Sequence, residues 1–167
     1  MRIFLVRHGQ SMGNVDKTVH ETTADHAIPL SPEGHRQAKE AGLVLSRYID
    51  GLYPLPSPAK MWKEQKQPHI RLWTSPYLRT RQTSDGVQEG LGEWCTDRRE
   101  EIALVEQHFG LFDGVPDDQL PILFPREHAH YKKCEDFEGR FWARMPMGES
   151  RFDVALRVKP FFGTLIR

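Results

Sequence analysis

Cysteine is almost absent from this 167-residue chain: only Cys95 and Cys134 occur, far apart and in no metal-ligand spacing. That scarcity excludes a disulfide-stapled secreted scaffold and a paired-cysteine zinc site. Free thiols in a reducing cytoplasm are the plain reading, with a Cys95–Cys134 disulfide as the alternative. An excess of charge is lacking too, since 23 Lys and Arg stand against 23 Asp and Glu. Nothing in bulk draws the chain to nucleic acid or to an anionic membrane, so any anion must be held by a local cluster. Long apolar runs are also missing. The first, Ile3–Val6, is too short for a signal peptide, and no stretch approaches the length of a membrane span. No repeat or low-complexity tract occurs. One soluble, cytoplasmic domain with a real core is expected, without nucleic-acid or membrane partners.

What is present begins with Ile3-Phe4-Leu5-Val6-Arg7-His8-Gly9. An apolar run this short, without polar alternation, is the pattern of a strand buried on both faces of a mostly parallel sheet. Open α/β sheets bind ligands just beyond the carboxyl ends of their strands. Arg7 offers a planar fork for an oxyanion, and His8 can be a nucleophile or a base. Gly9 permits a tight turn and close approach to a ligand. A charged loop after an edge strand is the other reading of these three residues.

Gln10 to Pro29 is polar and irregular and reads as a long loop. Ser31-Pro32-Glu33 then carries the cap, proline and acid of a helix start. Ala38, Ala41, Leu45 and Tyr48 give that helix one apolar face. Gly51 to Pro68 reads as an exposed connector. Ile70–Thr74 is the second expected strand, and Ser75-Pro76 repeats the cap-then-proline signal for a helix reaching about Leu91. A further strand is expected near Trp94–Thr96, and Arg98-Arg99-Glu100-Glu101 reads as a solvated charge run. Residues 107–147 interleave Phe109, Phe112, Phe124, Phe137, Phe141 and Trp142 with charges and prolines. They are expected to form short helices and loops, a lid or insert over the sheet's carboxyl edge. After Gly148-Glu149-Ser150 a last helix presents Val154, Val158, Phe161 and Leu165 on one face, with Pro160 kinking it.

Three positions read as one site: His8, Arg79 in the first turn after the second strand, and Glu106 where an apolar approach breaks into a turn. Arginines beside a histidine disfavour its cation and leave a nitrogen free to attack phosphorus. They also offset charge on the equatorial oxygens of a transferring phosphoryl group. A carboxyl group can protonate the leaving oxygen and later take a proton from water. His128 and His130 with Cys134 lack the paired architecture of a metal site.

Val6-Arg7-His8-Gly9-Gln10-Ser11 with Asn14 resembles the opening of the histidine phosphatase superfamily, the phosphoglycerate-mutase-like branch. Pro29-Leu30-Ser31 with Gly34, Gln37 and Ala38 is similar to its next signature, and Thr74 to Thr83 to its second arginine segment. Glu106 with Phe109-Gly110, Gly148-Glu149-Ser150 and Arg157-Val158 complete the likeness. The resemblance implies a three-layer α/β/α sandwich on a mostly parallel central sheet, as one domain over residues 1–167. It implies His8 as phosphohistidine nucleophile, Arg7 and Arg79 on the phosphoryl group, Asn14 on phosphate and Glu106 as proton donor. It implies a phosphatase of phosphomonoesters, small-molecule or phosphoprotein, with no metal or organic cofactor. A mutase primed by bisphosphoglycerate is the alternative enzyme, and a non-catalytic phosphate-binding relative the alternative outside enzymes. The family's second catalytic histidine, in a strand after the Ser150 helix, has no counterpart here. The domain is therefore expected to be C-terminally incomplete.

Overall fold

The computed structural model describes residues 2–53 and 70–165, with only the backbone of Thr96. Beyond Tyr53 the expected connector lies outside the described residues, as does His69. The chain forms two compact units, Arg2–Glu101 and the residues from Ile102 onward.

In the first unit α1 (Met12–Val15) and α2 (Val19–Thr22) are single turns, and a 3-10 turn follows at Asp25–Ala27. The segment read as an irregular loop is thus partly helical. Its capping is local: Ser11 Oγ accepts from Asn14 N–H at 3.2 Å, and Asp16 accepts from the Thr18 amide at 2.9 Å. Helix α3 (Pro32–Leu52) starts where the sequence places it, with Ser31 Oγ accepting from Gly34 N–H at 3.1 Å and Pro32 in the first turn. Strand β1 (Ile70–Thr74), helix α4 (Leu78–Leu91) and strand β2 (Cys95–Glu100) complete the unit.

The two strands are parallel, and Thr74 pairs with Glu100 at their carboxyl ends. The fold is α/β, a parallel sheet with helices packed on it. Ile49, Val87 and Leu91 form the core, with Ala41, Leu45, Ile70, Leu72, Trp94 and Cys95 packed around them. Tyr48, expected on the buried face of α3, is half exposed, and Ile49 takes its place. One residue is a 100° step around a helix, which carries the Tyr48 ring out to an edge contact with Phe4 at 5.6 Å.

Three local readings are corrected. Ile3–Val6 is not a strand among the described residues, and Leu5 is 89% exposed. The apolar run signals a need for burial on two faces, but its backbone becomes a strand only beside a neighbouring strand, and no described strand pairs with it. The expected strand near Trp94–Thr96 instead runs to Glu100, so the charge run 98–101 is largely strand β2 itself, with Arg99 and Glu100 exposed as a solvated run should be. Its poor β-propensity is overridden by pairing with β1 and by a row of ion pairs. Arg71 and Arg99 share Asp97 at 2.7 and 3.3 Å, Arg81 meets Glu100 at 2.7 Å, and Arg98 meets Asp85. Ser75 does not cap α4, whose N-cap is Tyr77. The Ser75 carbonyl instead accepts from Thr80 Oγ1 at 2.7 Å, which shapes the turn after β1.

Helices α3 and α4 cross at glycines. A Cβ on Gly42 would lie 2.4 Å from the Val87 carbonyl oxygen and 2.8 Å from Gly90 Cα. Gly→Ala in an open helix gains about 1 kcal/mol. Here the contact is with backbone, so Gly42→Ala is expected to destabilise by about 1–3 kcal/mol through overpacking. Urea unfolding checks the sign.

The second unit opens with 3-10 turns at Ile102–Leu104 and Gly110–Phe112, followed by α5 (Leu120–Leu123), α6 (Pro125–Glu138) and α7 (Arg151–Leu165). Phe112, Leu120, Tyr131 and Ala143 form its core, backed by Phe124, Cys134 and Met145. The aromatic-rich stretch is therefore core packing in part, but Phe137 is exposed. Helix α7 has a reciprocal cap: Ser150 Oγ accepts from Asp153 N–H at 3.1 Å, and Asp153 Oδ2 accepts from Ser150 N–H at 2.8 Å. Phe161 is buried, and Pro160 lies inside the helix as expected. Cys95 and Cys134 are free thiols. Among the described residues no helix is long and apolar enough to cross a membrane.

Candidate active site

His8 and Arg79 lie in the first unit, joined by a short relay. The Gly9 N–H donates to Thr83 Oγ1 at 3.1 Å, and Thr83 Oγ1 donates to the Arg79 carbonyl at 2.7 Å. The backbone carrying His8 is thereby tied to the first turn of α4, just past the carboxyl end of β1. Only glycine fits at position 9, because a Cβ there would lie 2.4 Å from the Gly34 carbonyl oxygen.

The half-buried His8 ring has a defined proton. Its Nδ1 lies 2.8 Å from the Gly9 carbonyl oxygen, which can only accept. Nδ1 therefore carries a hydrogen, and in the neutral ring the lone pair falls on Nε2. Arg7 is exposed and has no hydrogen bond or ion pair among the described residues. Asn14 has its Oδ1 committed to the α1 cap, accepting from Ser11 N–H at 2.9 Å, so only its amide donors remain for a ligand.

Much of the residue pattern that carries the resemblance proves to be scaffolding around His8. Gln37 Oε1 accepts from Gln10 N–H at 2.9 Å, and Ser31 Oγ donates to Gln10 Oε1 at 2.8 Å. Gln82 Oε1 accepts from Leu30 N–H at 2.7 Å. These side chains hold segments 9–11 and 29–31 against α3 and α4.

Arg79 is only 6% exposed. Its Nη1 donates to the Asp25 carbonyl at 2.6 Å and to Asp25 Oδ1 at 2.9 Å, while Nη2 donates to Asp25 Oδ2 at 3.1 Å. The guanidinium lies over the Tyr77 ring at 5.0 Å, and the His26 ring meets Tyr77 edge-on at 6.4 Å. Asp25 escaped the sequence analysis because nothing local distinguishes it within a polar segment.

Glu106 lies in the second unit, exposed, with its Oε1 accepting from the Gln107 N–H at 3.0 Å. Its backbone is held by Arg157 of α7. The Arg157 guanidinium donates to the carbonyls of Ala103, Val105 and Glu106 at 2.6, 2.9 and 3.1 Å. It also pairs with both Glu149 oxygens, at 2.9 and 3.1 Å. That pairing holds the Glu149 carboxyl below its ordinary range against the opposing effect of burial, with the His108 N–H adding to the depression. The Gly-Glu-Ser and Arg-Val motifs thus brace the segment that carries Glu106.

His130 and Cys134 approach at 3.7 Å on α6. Among the described residues no group of three or more His, Cys, Asp and Glu is placed to hold a metal ion.

A histidine and a buried arginine, joined at the carboxyl end of a parallel strand, suit an α/β protein that handles phosphoryl groups. Residues 3–167 match the histidine phosphatase superfamily (branch 1), and the chain belongs to that family. Two phosphoglycerate mutase-like proteins of Arabidopsis thaliana are 35% and 37% identical to it over 167 residues. Those alignments cover 99% of this chain but 53% and 46% of the relatives, so the chain spans about half their length. A broad-range acid phosphatase of Saccharomyces cerevisiae is 24% identical over 230 residues, with 99% of this chain and 69% of that protein covered. Among solved structures, a mycobacterial glucosyl-3-phosphoglycerate phosphatase superposes with a TM-score of 0.63 at 25% identity, over 96% of this chain and 64% of the other.

Proposed function

We propose that the chain belongs to a phosphomonoester phosphatase that works through a phosphohistidine at His8, in the cytoplasm and without metal or organic cofactor. The observation that carries this reading is the Nδ1–H···O=C hydrogen bond of His8, which leaves Nε2 as a nucleophile. In the proposed reaction the Nε2 lone pair forms a bond to phosphorus while the bond to the ester oxygen breaks. Arg7, Arg79 and the Asn14 amide stabilise the charge on the phosphoryl oxygens. Glu106, assigned by its motif, gives its proton to the leaving alcohol oxygen. It then takes one from the water that attacks phosphorus, and release of phosphate returns His8 to the neutral state. The similar acid phosphatase and glucosyl-3-phosphoglycerate phosphatase support hydrolysis, and substrates from small phosphate esters to phosphoproteins remain open to this chemistry.

The test is a brief pulse with radiolabelled phosphomonoester, followed by an alkaline quench and peptide mapping. Label on His8 that is stable to base and lost in acid is expected. Turnover with label elsewhere would overturn the assignment. Phosphate binding without label or turnover would identify a non-catalytic relative, and isomerisation of phosphoglycerate requiring bisphosphoglycerate would identify a mutase.

A further inference from the structure

We propose that Asp25 is the positioning residue of the phosphoryl-binding arginine, setting which edge of the Arg79 guanidinium faces the substrate. The inference rests on the phosphoryl role proposed above for Arg79.

A guanidinium has five N–H donors in a fixed plane. In Arg79 both Nη1 donors are used, one on the Asp25 carbonyl at 2.6 Å and one on Asp25 Oδ1 at 2.9 Å. One Nη2 donor is used on Asp25 Oδ2 at 3.1 Å. The two without an acceptor among the described residues, on Nε and Nη2, lie parallel along the side edge of the plane. That edge matches two oxygens of one phosphoryl group. The Tyr77 ring, 5.0 Å from the guanidinium carbon, restrains the plane from one face.

Asp25 could instead be a stand-in anion that substrate must displace. Three features favour permanent support. The contact uses the Asp25 backbone carbonyl as well as its carboxylate, so the whole turn would have to move for release. The turn is followed by Ile28, which is almost completely buried. Two residues further, the Leu30 N–H is fixed to Gln82 on α4 at 2.7 Å. The Asp25 turn is therefore bound to α4 at Arg79, and the segment that follows it at Gln82, which leaves the side edge of Arg79 to a ligand.

The test is a double-mutant cycle on the 167-residue chain, with inorganic phosphate titrated calorimetrically and folding followed by circular dichroism. Asp25→Asn keeps the shape and removes the charge that holds the fork. It is expected to weaken phosphate binding roughly tenfold or more. Arg79→Ala is expected to weaken it at least as much, and Asp25→Asn added to Arg79→Ala to cause no further loss. Should Asp25→Asn fail to fold, Asp25→Glu keeps the charge but displaces the carboxylate by one methylene, and the same non-additive loss is expected. Losses that add in the double variant would make Asp25 merely structural and overturn the proposal. Parent-like binding would do the same, and tighter binding would show Asp25 to be a displaceable anion. In those three outcomes the role of Arg79 stands. Parent-like binding by Arg79→Ala, or no binding by the parent chain, would instead remove the phosphoryl reading and the proposal with it.

Discussion

His8→Ala is expected to lower phosphatase turnover by at least about 10³-fold while leaving the melting temperature almost unchanged. Loss of one member of a cooperating catalytic set removes most of what the set contributes, and a factor of 10³ corresponds to about 4 kcal/mol of barrier. On the proposed route no phosphoenzyme can form without the imidazole, so both steps close and not merely one contact within them. Stability should change little because the half-buried ring makes a single hydrogen bond among the described residues, to the carbonyl of the next residue. The Gly9–Thr83–Arg79 relay runs through the main chain of Gly9 and survives the substitution. Steady-state kinetics on an activated aryl phosphate, with calorimetric melting, separates the two effects. Turnover within tenfold of the parent would exclude His8 as the nucleophile, and a large fall in melting temperature would make it structural.

Arg157→Ala carries the largest expected effect on stability. One guanidinium binds three backbone carbonyls and both oxygens of Glu149. Removing one partner of a buried pair typically costs 3–5 kcal/mol. Here the side chains keep 22% and 21% exposure, so solvent relieves part of the cost and about 3 kcal/mol is expected. Against a domain stability of roughly 5–15 kcal/mol, such a loss should loosen the second unit first. Faster amide exchange at 103–106 would report it, together with a lower urea midpoint.

The same pair has a pH signature. The Glu149 carboxyl is depressed in the folded state, chiefly by its bond to Arg157. Its contribution is therefore complete above the unfolded-state value of about 4.3 and is lost as pH falls through the folded-state value. The stability gap between parent and Arg157→Ala should be widest near neutrality and narrow below about pH 4. A gap independent of pH would mean that the carbonyl contacts, and not Glu149, carry the stabilisation.

Local signals were legible in the residues themselves. Ser31 and Pro32 determined where α3 begins, Gly148-Glu149-Ser150 marked the start of α7, and the β-favouring run Ile70–Thr74 became β1. The ordered motifs around His8, Arg79, Glu106 and Arg157 were sufficient for the family. Each of these signals acts within a few residues of where it is read, so no knowledge of the rest of the chain is needed.

Only the tertiary structure decided that the charged run from Asp97 to Glu100 is a strand, because its pairing with β1 and with arginines from β1 and α4 outweighs its own preference. Only it showed Ile3–Val6 without a described ladder partner, since an apolar run states a need for burial and cannot state what meets it. Likewise Arg79 reads from sequence as a free phosphate ligand, whereas in the fold its end-on edge belongs to Asp25, 54 residues away. Arg157 reads as part of a motif, and its work is on the carbonyls of Ala103 and Val105, 54 and 52 residues before it. A buried charge takes whichever partner the fold brings within reach, and at such separations the sequence holds no local trace of that choice.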